Sequence, residues 1–224
     1  MFWDDIKLVT EQVEKYGYRG PLIDIGGCET PCIADYDITI ATGNQHARYV
    51  QLAQRPFDHI DPEYLVLNPE KGDPYIEELP YRYRGAFGTA CCLNVIEHVQ
   101  NPFRVFAAFY QIMREDSILI VETVFSFPYH PSPLDYWRYT PDALRHLAEG
   151  AGFTVLETDW RMTILADRGI RTTAPGVDEP QEIRSVYATL AKGRLLPQPA
   201  RRFPLPRRYS DHPAAQLVLQ EVQQ

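Results

Sequence analysis

An apolar strand that runs directly into two glycines is the feature that most restricts how this chain can fold. Residues 22–27 read Leu-Ile-Asp-Ile-Gly-Gly. The apolar residues predict a short buried strand, and the glycines predict a tight turn where a ligand can approach bare backbone. Open α/β sheets bind nucleotide-like ligands where a strand ends in such a turn before a helix. A strand that ends in a turn without binding a ligand could have the same residues. The rest of the chain therefore has to distinguish a ligand-binding turn from a purely structural one.

Helix and strand patterns alternate along the chain, which is typical of a parallel α/β sheet. Apolar positions three and four apart predict helices over residues 2–16, 102–113 and 141–148, and a ragged stripe allows another over 45–54. Short apolar runs predict strands over residues 22–25, 37–41, 64–68, 86–95, 117–124 and 183–191, and from residue 153 onward. The fold class predicted from this order is α/β.

Length and composition favour a single domain followed by a tail. The chain has 224 residues, of which 45% are hydrophobic, enough for one good-sized core. We assign residues 1–195 to the domain and residues 196–224 to a tail rich in proline and arginine. Such a tail is expected to lie on its own domain or on a second copy of the chain, which would give a homo-oligomer.

The charge and the ends of the chain exclude several classes of protein. A net charge of −8 argues against a general nucleic-acid binder, because neutralising phosphates requires a basic face. No stretch approaches the roughly 20 apolar residues of a membrane span. The first residues, Met-Phe-Trp-Asp-Asp, lack the order of a secretory signal. We therefore expect a cytoplasmic protein that contacts neither membrane nor nucleic acid.

The four cysteines do not predict a metal site. Cys28 and Cys32 are four residues apart and Cys91 and Cys92 are adjacent, so neither pair has the C-x-x-C spacing of a zinc or redox site. Reduced thiols that serve as small core residues are the favoured interpretation. No metal is therefore expected from the sequence.

Polar side chains follow four successive strands of the predicted sheet, at the point where each strand ends. Because the carboxyl ends of parallel strands share one edge, these groups should converge on one crevice. They are Asp24 to Glu29, Asn68 to Asp73, Asn94 to His98 and His130 to Tyr139.

Two of these segments carry a family resemblance. Residues 92–102, Cys-Leu-Asn-Val-Ile-Glu-His-Val-Gln-Asn-Pro, resemble the segment after the fourth strand of class I S-adenosylmethionine-dependent methyltransferases. Residues 128–141, Pro-Tyr-His-Pro-Ser-Pro-Leu-Asp-Tyr-Trp-Arg-Tyr-Thr-Pro, are similar to the segment after the fifth strand in a branch acting in glycan or specialised-metabolite pathways. The resemblance implies a doubly wound, seven-stranded, mostly parallel sheet of order 3-2-1-4-5-7-6, with the seventh strand antiparallel.

The resemblance also implies a set of residues that bind S-adenosylmethionine. The first motif would hold the methionine part of the cofactor, although Cys28 stands where the family usually has a glycine. Asn68 best fits the ribose position, with Glu70 in reserve, and Asp73 resembles the acid that binds the adenine amino group. If the second strand ends at Asp37 instead of Asn68, the residues assigned to the ribose and to the adenine change. The full predicted set is Asp24, Gly26, Gly27, Cys28, Asn68, Glu70, Asp73 and Asn94.

Methylation of a hydroxyl requires a base, and the histidines at the strand ends are the candidates. We predict His98 and His130 as bases, Asp135 as the residue that orients one of them, and Arg138 as a grip for a carboxylate or phosphate on the acceptor. The structural alternatives are that His98 bonds backbone, that His130 and Asp135 shape the loop, and that Trp137 and Arg138 pin it to the core.

The leading functional hypothesis is a methyltransferase that acts on a small-molecule acceptor, through a hydroxyl of a sugar or a specialised metabolite. The alternative is a non-methylating scaffold or partner protein of the same fold. Cys28 in place of glycine and the missing ribose acid favour that alternative. A nicotinamide-dependent oxidoreductase is disfavoured, because no third glycine follows Gly26 and Gly27 at the G-x-G-x-x-G spacing.

Overall fold

The computed structural model describes residues 3–25, 38–41, 76, 80–127, 129–130, 134–163 and 183–198. The predicted helix over 45–54 and the predicted strand over 64–68 lie outside these ranges.

The described residues form four α-helices, one 3-10 helix and six strands. The helices are α1 (Trp3–Tyr16), α2 (Pro80–Tyr83), α3 (Pro102–Ile112) and α4 (Pro141–Ala151), and the 3-10 helix spans Ile96–His98. The strands are β1 (Leu22–Ile25), β2 (Ile38–Ala41), β3 (Phe87–Leu93), β4 (Met113–Ser126), β5 (Thr154–Thr163) and β6 (Ile183–Lys192).

The six strands form one sheet in the order β2-β1-β3-β4-β6-β5. Strands β2, β1, β3 and β4 are parallel neighbours, whereas β6 runs antiparallel to both β4 and β5. β2 lies next to β1, at the place of the second strand in the predicted order 3-2-1-4-5-7-6, and the last strand is antiparallel as expected. The complete seven-stranded order stays a prediction, because residues 64–68 lie outside the described part of the chain.

Apolar side chains cover both faces of the sheet. On one face, α3 and α4 contribute Phe106, Phe109 and Leu144 to a buried cluster with residues of β1, β3 and β4. On the other face, Leu8 and Val13 of α1 pack in a second buried cluster with residues of the same three strands. A central parallel sheet covered in this way accounts for the unbroken apolar runs of its strands. The expected α/β fold is therefore confirmed.

Successive residues of β3 alternate between these two cores. Cys91 and Cys92 are both buried and carry free thiols, and they belong to opposite clusters. Their predicted use as small core residues is confirmed. Cys28 and Cys32 lie outside the described part of the chain.

Side-chain caps stabilise the N-terminal ends of α3 and α4. Asn101 accepts a hydrogen bond from the Arg104 backbone N–H, and Thr140 accepts one from the Ala143 N–H, each directly before a proline. Helix α4 ends at Gly152, whose φ of +103° is left-handed.

Several element boundaries differ from the prediction. Strand β4 begins at Met113, four residues before the predicted Ser117, because Met113 pairs with Phe87 before the register shifts. The segment predicted as a loop around Pro80 contains the single turn α2, where Tyr83 packs against Phe87 with ring centroids 5.8 Å apart.

The start of the predicted tail is bonded to the domain. Arg19, which is almost fully buried, donates to the Leu196 carbonyl, and Asp116 accepts from the Leu196 N–H. The rest of the tail lies beyond the described residues, so the division at residue 196 stays a prediction. None of the helices in the described ranges is both long and apolar enough to cross a membrane.

Two glycines give a matched test of this packing. A Cβ at Gly88 in β3 would lie 2.6 Å from the Arg19 carbonyl oxygen, whereas a Cβ at Gly150 in α4 would meet nothing within 4 Å. We expect Gly88→Ala to lower the free energy of unfolding by about 1–3 kcal/mol through overpacking. Gly150→Ala should raise it by about 0.5–1 kcal/mol, because alanine loses less backbone entropy in a helix. Urea unfolding measures both, and an unchanged Gly88→Ala midpoint would contradict the close approach.

Candidate functional site

The turn after β3 places two polar residues at the carboxyl edge of the sheet. Asn94 adopts a left-handed φ of 54°, and its N–H donates to the Glu122 carbonyl of the neighbouring strand. The 3-10 helix that follows is buried along its whole length, including the side chains of Glu97 and His98. Burying a glutamate and a histidine in adjacent positions requires compensating partners.

Those partners come from the loop between β4 and α4. The Glu97 carbonyl accepts hydrogen bonds from the backbone N–H groups of Tyr136 (2.9 Å) and Trp137 (3.2 Å). Tyr139 donates its hydroxyl to the Ile96 carbonyl at 2.9 Å. Trp137 donates its indole N–H to the Val99 carbonyl at 2.8 Å. The loop is therefore bound to the turn by backbone and side chains together.

Glu97, His98 and His130, which we call the edge cluster, converge at this junction. Glu97 Oε1 lies 3.7 Å from His98 Nε2 and 3.9 Å from His130 Nε2. Potential ligand atoms of the three residues all lie within 4.8 Å of one another. Glu97 and His98 are buried, whereas 30% of the His130 side chain is exposed. His130 is thus the member that an incoming molecule can reach.

The second oxygen of Glu97 is held by a buried hydroxyl. Thr123 of β4 donates to Glu97 Oε2 at 2.8 Å. Burial raises the pKa of Glu97, and the nearby His98, the Thr123 hydrogen bond and His130 offset this only in part. Within the described residues, Glu97 Oε1 has no hydrogen-bond donor in range. The carboxylate therefore has one satisfied oxygen and one that faces the two imidazoles.

Each histidine ring is oriented by an acceptor at its Nδ1. His98 Nδ1 lies 2.6 Å from the Leu134 carbonyl oxygen, which can only accept a hydrogen bond. His130 Nδ1 lies 3.1 Å from Asp135 Oδ2, and that oxygen also accepts the His130 backbone N–H at 2.9 Å. These partners assign the proton of each neutral ring to Nδ1. Nε2 of each ring lies on the side of Glu97.

Asp135 is itself held by Arg138. The guanidinium binds both carboxylate oxygens of Asp135 and also donates to the Phe127 carbonyl. Burial alone would raise the pKa of Asp135, but the Arg138 hydrogen bond and the His130 N–H lower it to about 2. Asp135 is therefore ionised at neutral pH and fixed as the partner of His130.

The structure brings together all four residues predicted for catalysis, although not in the arrangement expected. His98, His130 and Asp135 meet as predicted, and His98 also bonds backbone, which was its alternative. Arg138 was predicted to grip the acceptor. Its guanidinium instead donates hydrogen bonds to Asp135 and to the Phe127 carbonyl, so Arg138 stabilises the loop.

Two of the residues predicted to bind the cofactor lie in the described part of the chain. Asp24 is fully buried in β1, between Ile40 of β2 and Cys91 of β3. Burial raises the pKa of Cys92, and the negative charges of Glu97 and Asp24 raise it further, which places both acids near the carboxyl end of β3. Asn94 follows at the end of the same strand. The other predicted residues, Gly26, Gly27, Cys28, Asn68, Glu70 and Asp73, lie outside the described ranges, as does Asp37.

Glu97 and Thr123 are the site residues that the sequence analysis did not select. Glu97 stands between apolar neighbours in Val-Ile-Glu-His-Val, a pattern that indicates a buried acid. Thr123 carries no such signal, because a threonine in an apolar strand is ordinary.

The comparison with protein families gives one match. A family model described as a methyltransferase domain covers residues 14–158, which include β1, β3, β4 and the whole edge cluster. No curated protein matches the chain.

Solved structures share the fold at low sequence identity. The [4+2]-cyclase SpnF superimposes with a TM-score of 0.55 and 18% identity, over 84% of this chain and 81% of that one. A Burkholderia thailandensis 1,6-didemethyltoxoflavin-N1-methyltransferase with bound S-adenosylhomocysteine gives a TM-score of 0.55 and 15% identity, over 84% and 79%. A Thermotoga maritima protein described as a possible histamine N-methyltransferase gives 0.53 and 15%, over 84% and 89%.

Two tyrosines of the loop test how firmly it is bound to the turn. Tyr139→Phe removes the only atom by which the phenol ring hydrogen-bonds the buried Ile96 carbonyl. We expect it to lower the free energy of unfolding by about 1–3 kcal/mol, the cost of leaving such an acceptor unsatisfied. Tyr136→Phe removes an exposed hydroxyl bonded to Gln100 and should stay within about 0.5 kcal/mol of the wild type. Chemical denaturation compares the two, and equal effects would contradict the assigned contact.

Proposed function

The chain belongs to the methyltransferase domain family, and on that premise we propose that it is an enzyme that transfers a methyl group from S-adenosylmethionine to a small molecule. The acceptor atom is a hydroxyl oxygen of a sugar or a specialised metabolite. The observation that carries this proposal is the edge cluster, in which the side chains of Glu97, His98 and His130 meet at the carboxyl edge of the sheet.

The described part of the sheet edge fits the cofactor. S-adenosylmethionine, when bound, supplies a methyl group on a sulfonium that is open to attack by a nucleophile. β1 ends at Ile25, directly before Gly26 and Gly27, and the buried carboxylate of Asp24 suits the ammonium group of the methionine part. Cys28, Asn68, Glu70, Asp73 and Asn94 complete the proposed binding residues.

The edge cluster activates the acceptor. A hydroxyl oxygen that gains a bond to carbon must lose its proton, and a proton acceptor has to lie within hydrogen-bond reach. His130 is the most exposed member of the cluster and its Nδ1 faces Asp135, so Nε2 is the atom that we propose accepts the proton. The negative charges of Glu97 and Asp135 stabilise the positive charge that this proton brings.

Exposed aromatic side chains near the cluster support a small-molecule acceptor. Tyr136 and Trp137 are 39% and 42% exposed although their backbone N–H groups are tied to Glu97. Flat rings held on a rigid loop offer contact area to a sugar or an aromatic metabolite at low entropic cost. The net charge of −8 supports such an acceptor over nucleic acid.

A second candidate is an enzyme of the same fold that does not methylate. The likeness to SpnF, whose described activity is a [4+2] cyclisation, favours it, as does Cys28 in place of the usual glycine. The same edge cluster would then polarise a substrate without transferring a methyl group.

Binding and turnover distinguish the two candidates. We expect the purified full chain to bind S-adenosylmethionine and S-adenosylhomocysteine in calorimetric titrations, and to methylate a member of a panel of sugars and phenols. Mass spectrometry of the product identifies the methylated atom. Binding without turnover across sugar, phenol and amine panels would favour the second candidate. Absence of binding to both compounds would exclude the proposed function.

His130→Ala tests the activating role directly. We expect the turnover rate to fall by roughly 10²–10⁴-fold, the usual contribution of acid–base catalysis, because the accessible proton acceptor is lost. S-adenosylhomocysteine affinity should stay within a few-fold, since none of the proposed cofactor residues changes. The control is His146→Ala, which removes an exposed imidazole on α4 and should leave the rate unchanged. A normal rate in His130→Ala would exclude this role.

A further inference from the structure

The edge cluster gathers three potential metal ligands at the carboxyl edge of the sheet. Glu97 Oε1 lies 3.7 Å from His98 Nε2 and 3.9 Å from His130 Nε2, and one ligand atom of each residue lies within 4.8 Å of the others. Within the described residues, no hydrogen-bond donor reaches the buried Glu97 Oε1. A buried carboxylate oxygen is stabilised by a positive charge close to it, and a metal ion between the three side chains would supply that charge.

We infer that the edge cluster binds one divalent first-row transition-metal ion through Glu97 Oε1, His98 Nε2 and His130 Nε2. Two imidazoles and one carboxylate form a ligand set that zinc and iron(II) use in proteins, and it differs from the all-oxygen sets of magnesium and calcium. This metal site was not predicted from the sequence. The cysteine spacing argued against a thiolate site, and His98 and His130 are far apart in the chain.

The surroundings of the two histidines match those of metal ligands. A ligating histidine usually donates its other ring N–H to a carboxylate or a backbone carbonyl, which fixes the ring and makes the ligand nitrogen more basic. His130 faces Asp135 and His98 faces the Leu134 carbonyl, so both kinds of partner are present. Arg138 and Thr123 hold Asp135 and Glu97 in turn. Each ligand is thus oriented by a second hydrogen bond.

The distances allow an ion after the ligands move together. Ligand atoms about 2.1 Å from a tetrahedral zinc ion lie about 3.4 Å from one another. The separations of 3.7 and 3.9 Å from Glu97 Oε1 exceed that distance by a few tenths of an ångström, and all three ligand atoms lie within 4.8 Å of one another. Rotation of the His130 side chain, the most exposed of the three, can supply this movement.

Three protein ligands leave a coordination position open. The exposed side of His130 connects this position to solvent. If the proposed function is correct, the acceptor hydroxyl binds the ion there, and the ion lowers the pKa of that hydroxyl so that its proton leaves to solvent. In the metal-bound chain, His130 Nε2 is a ligand and not the proton acceptor, so His130→Ala would lower the turnover rate through loss of the ion instead of loss of a base. Metal binding itself does not depend on the proposed function.

Metal binding is tested on the full chain after dialysis against a chelator. We expect calorimetric titration with Zn²⁺ to give one ion per chain, and Mg²⁺ to bind far more weakly. Co²⁺ should produce visible absorption bands that disappear when Zn²⁺ is added, a result that needs no variant. A stoichiometry of zero with no Co²⁺ bands would overturn the site.

Variants locate the ion. His98→Ala and His130→Ala should each weaken Zn²⁺ binding by more than about 100-fold, and Asp135→Asn, which acts through His130, by about 10–100-fold. Glu97→Gln keeps the shape of the side chain while removing its charge, and thermal unfolding followed by circular dichroism checks that each variant is folded. His146→Ala is the control and should bind as the wild type does. Equal Zn²⁺ affinity in the wild type, His98→Ala and His130→Ala would place the ion elsewhere and overturn the proposal.

Activity separates this inference from the proposed function. Chelation should lower methyl transfer at least about 10-fold, and adding Zn²⁺ or Mn²⁺ should restore it, if the ion binds the acceptor. One Zn²⁺ at the cluster without methyl transfer would remove the proposed function and retain the metal site. Methyl transfer that is unaffected by chelation, in a protein without Zn²⁺ at the cluster, would retain the function and remove the metal.

Discussion

The buried carboxylate of Glu97 is the constraint on which the site depends. Moving an ionised carboxylate out of water costs several kcal/mol even after relaxation, and only close partners can offset that cost. One oxygen receives the Thr123 hydroxyl, the other faces two imidazoles, and the backbone carbonyl of the same residue binds two N–H groups of the following loop. A single residue thus joins the turn after β3, strand β4 and the loop before α4.

The topology of the sheet brings these pieces together. β3 and β4 are parallel, so the turn after β3 and the loop after β4 leave the sheet at the same edge. On the side of β4 opposite β3, the antiparallel strand β6 pairs with β4 and extends the sheet. Helices on both faces bury β3 completely. Within the described residues, His130 is the exposed member of the edge cluster, and it follows β4 at the carboxyl edge, where a ligand would enter.

The loop that carries His130 is held by its own polar residues. Asp135 and Arg138 form a bidentate pair, and Trp137 and Tyr139 bind carbonyls of the turn. A site whose members are already fixed loses little entropy when it binds a ligand, whether an acceptor or an ion. In the function that we propose, Arg138 would act through Asp135 and His130 instead of contacting an acceptor.

The sequence by itself determined the elements and the edge at which they meet. The apolar periods of α1, α3 and α4 and the apolar run of β3 are local patterns, and each predicted an element that the structure contains. Only the tertiary structure decided the partners: Glu97 with two histidines, Asp135 with His130, and Arg138 with Asp135 instead of a ligand. The physical reason is the separation in sequence between the residues that interact. Helix and strand patterns depend on neighbours within a few positions, whereas a carboxylate buried between two distant imidazoles depends on how two loops pack across a sheet edge.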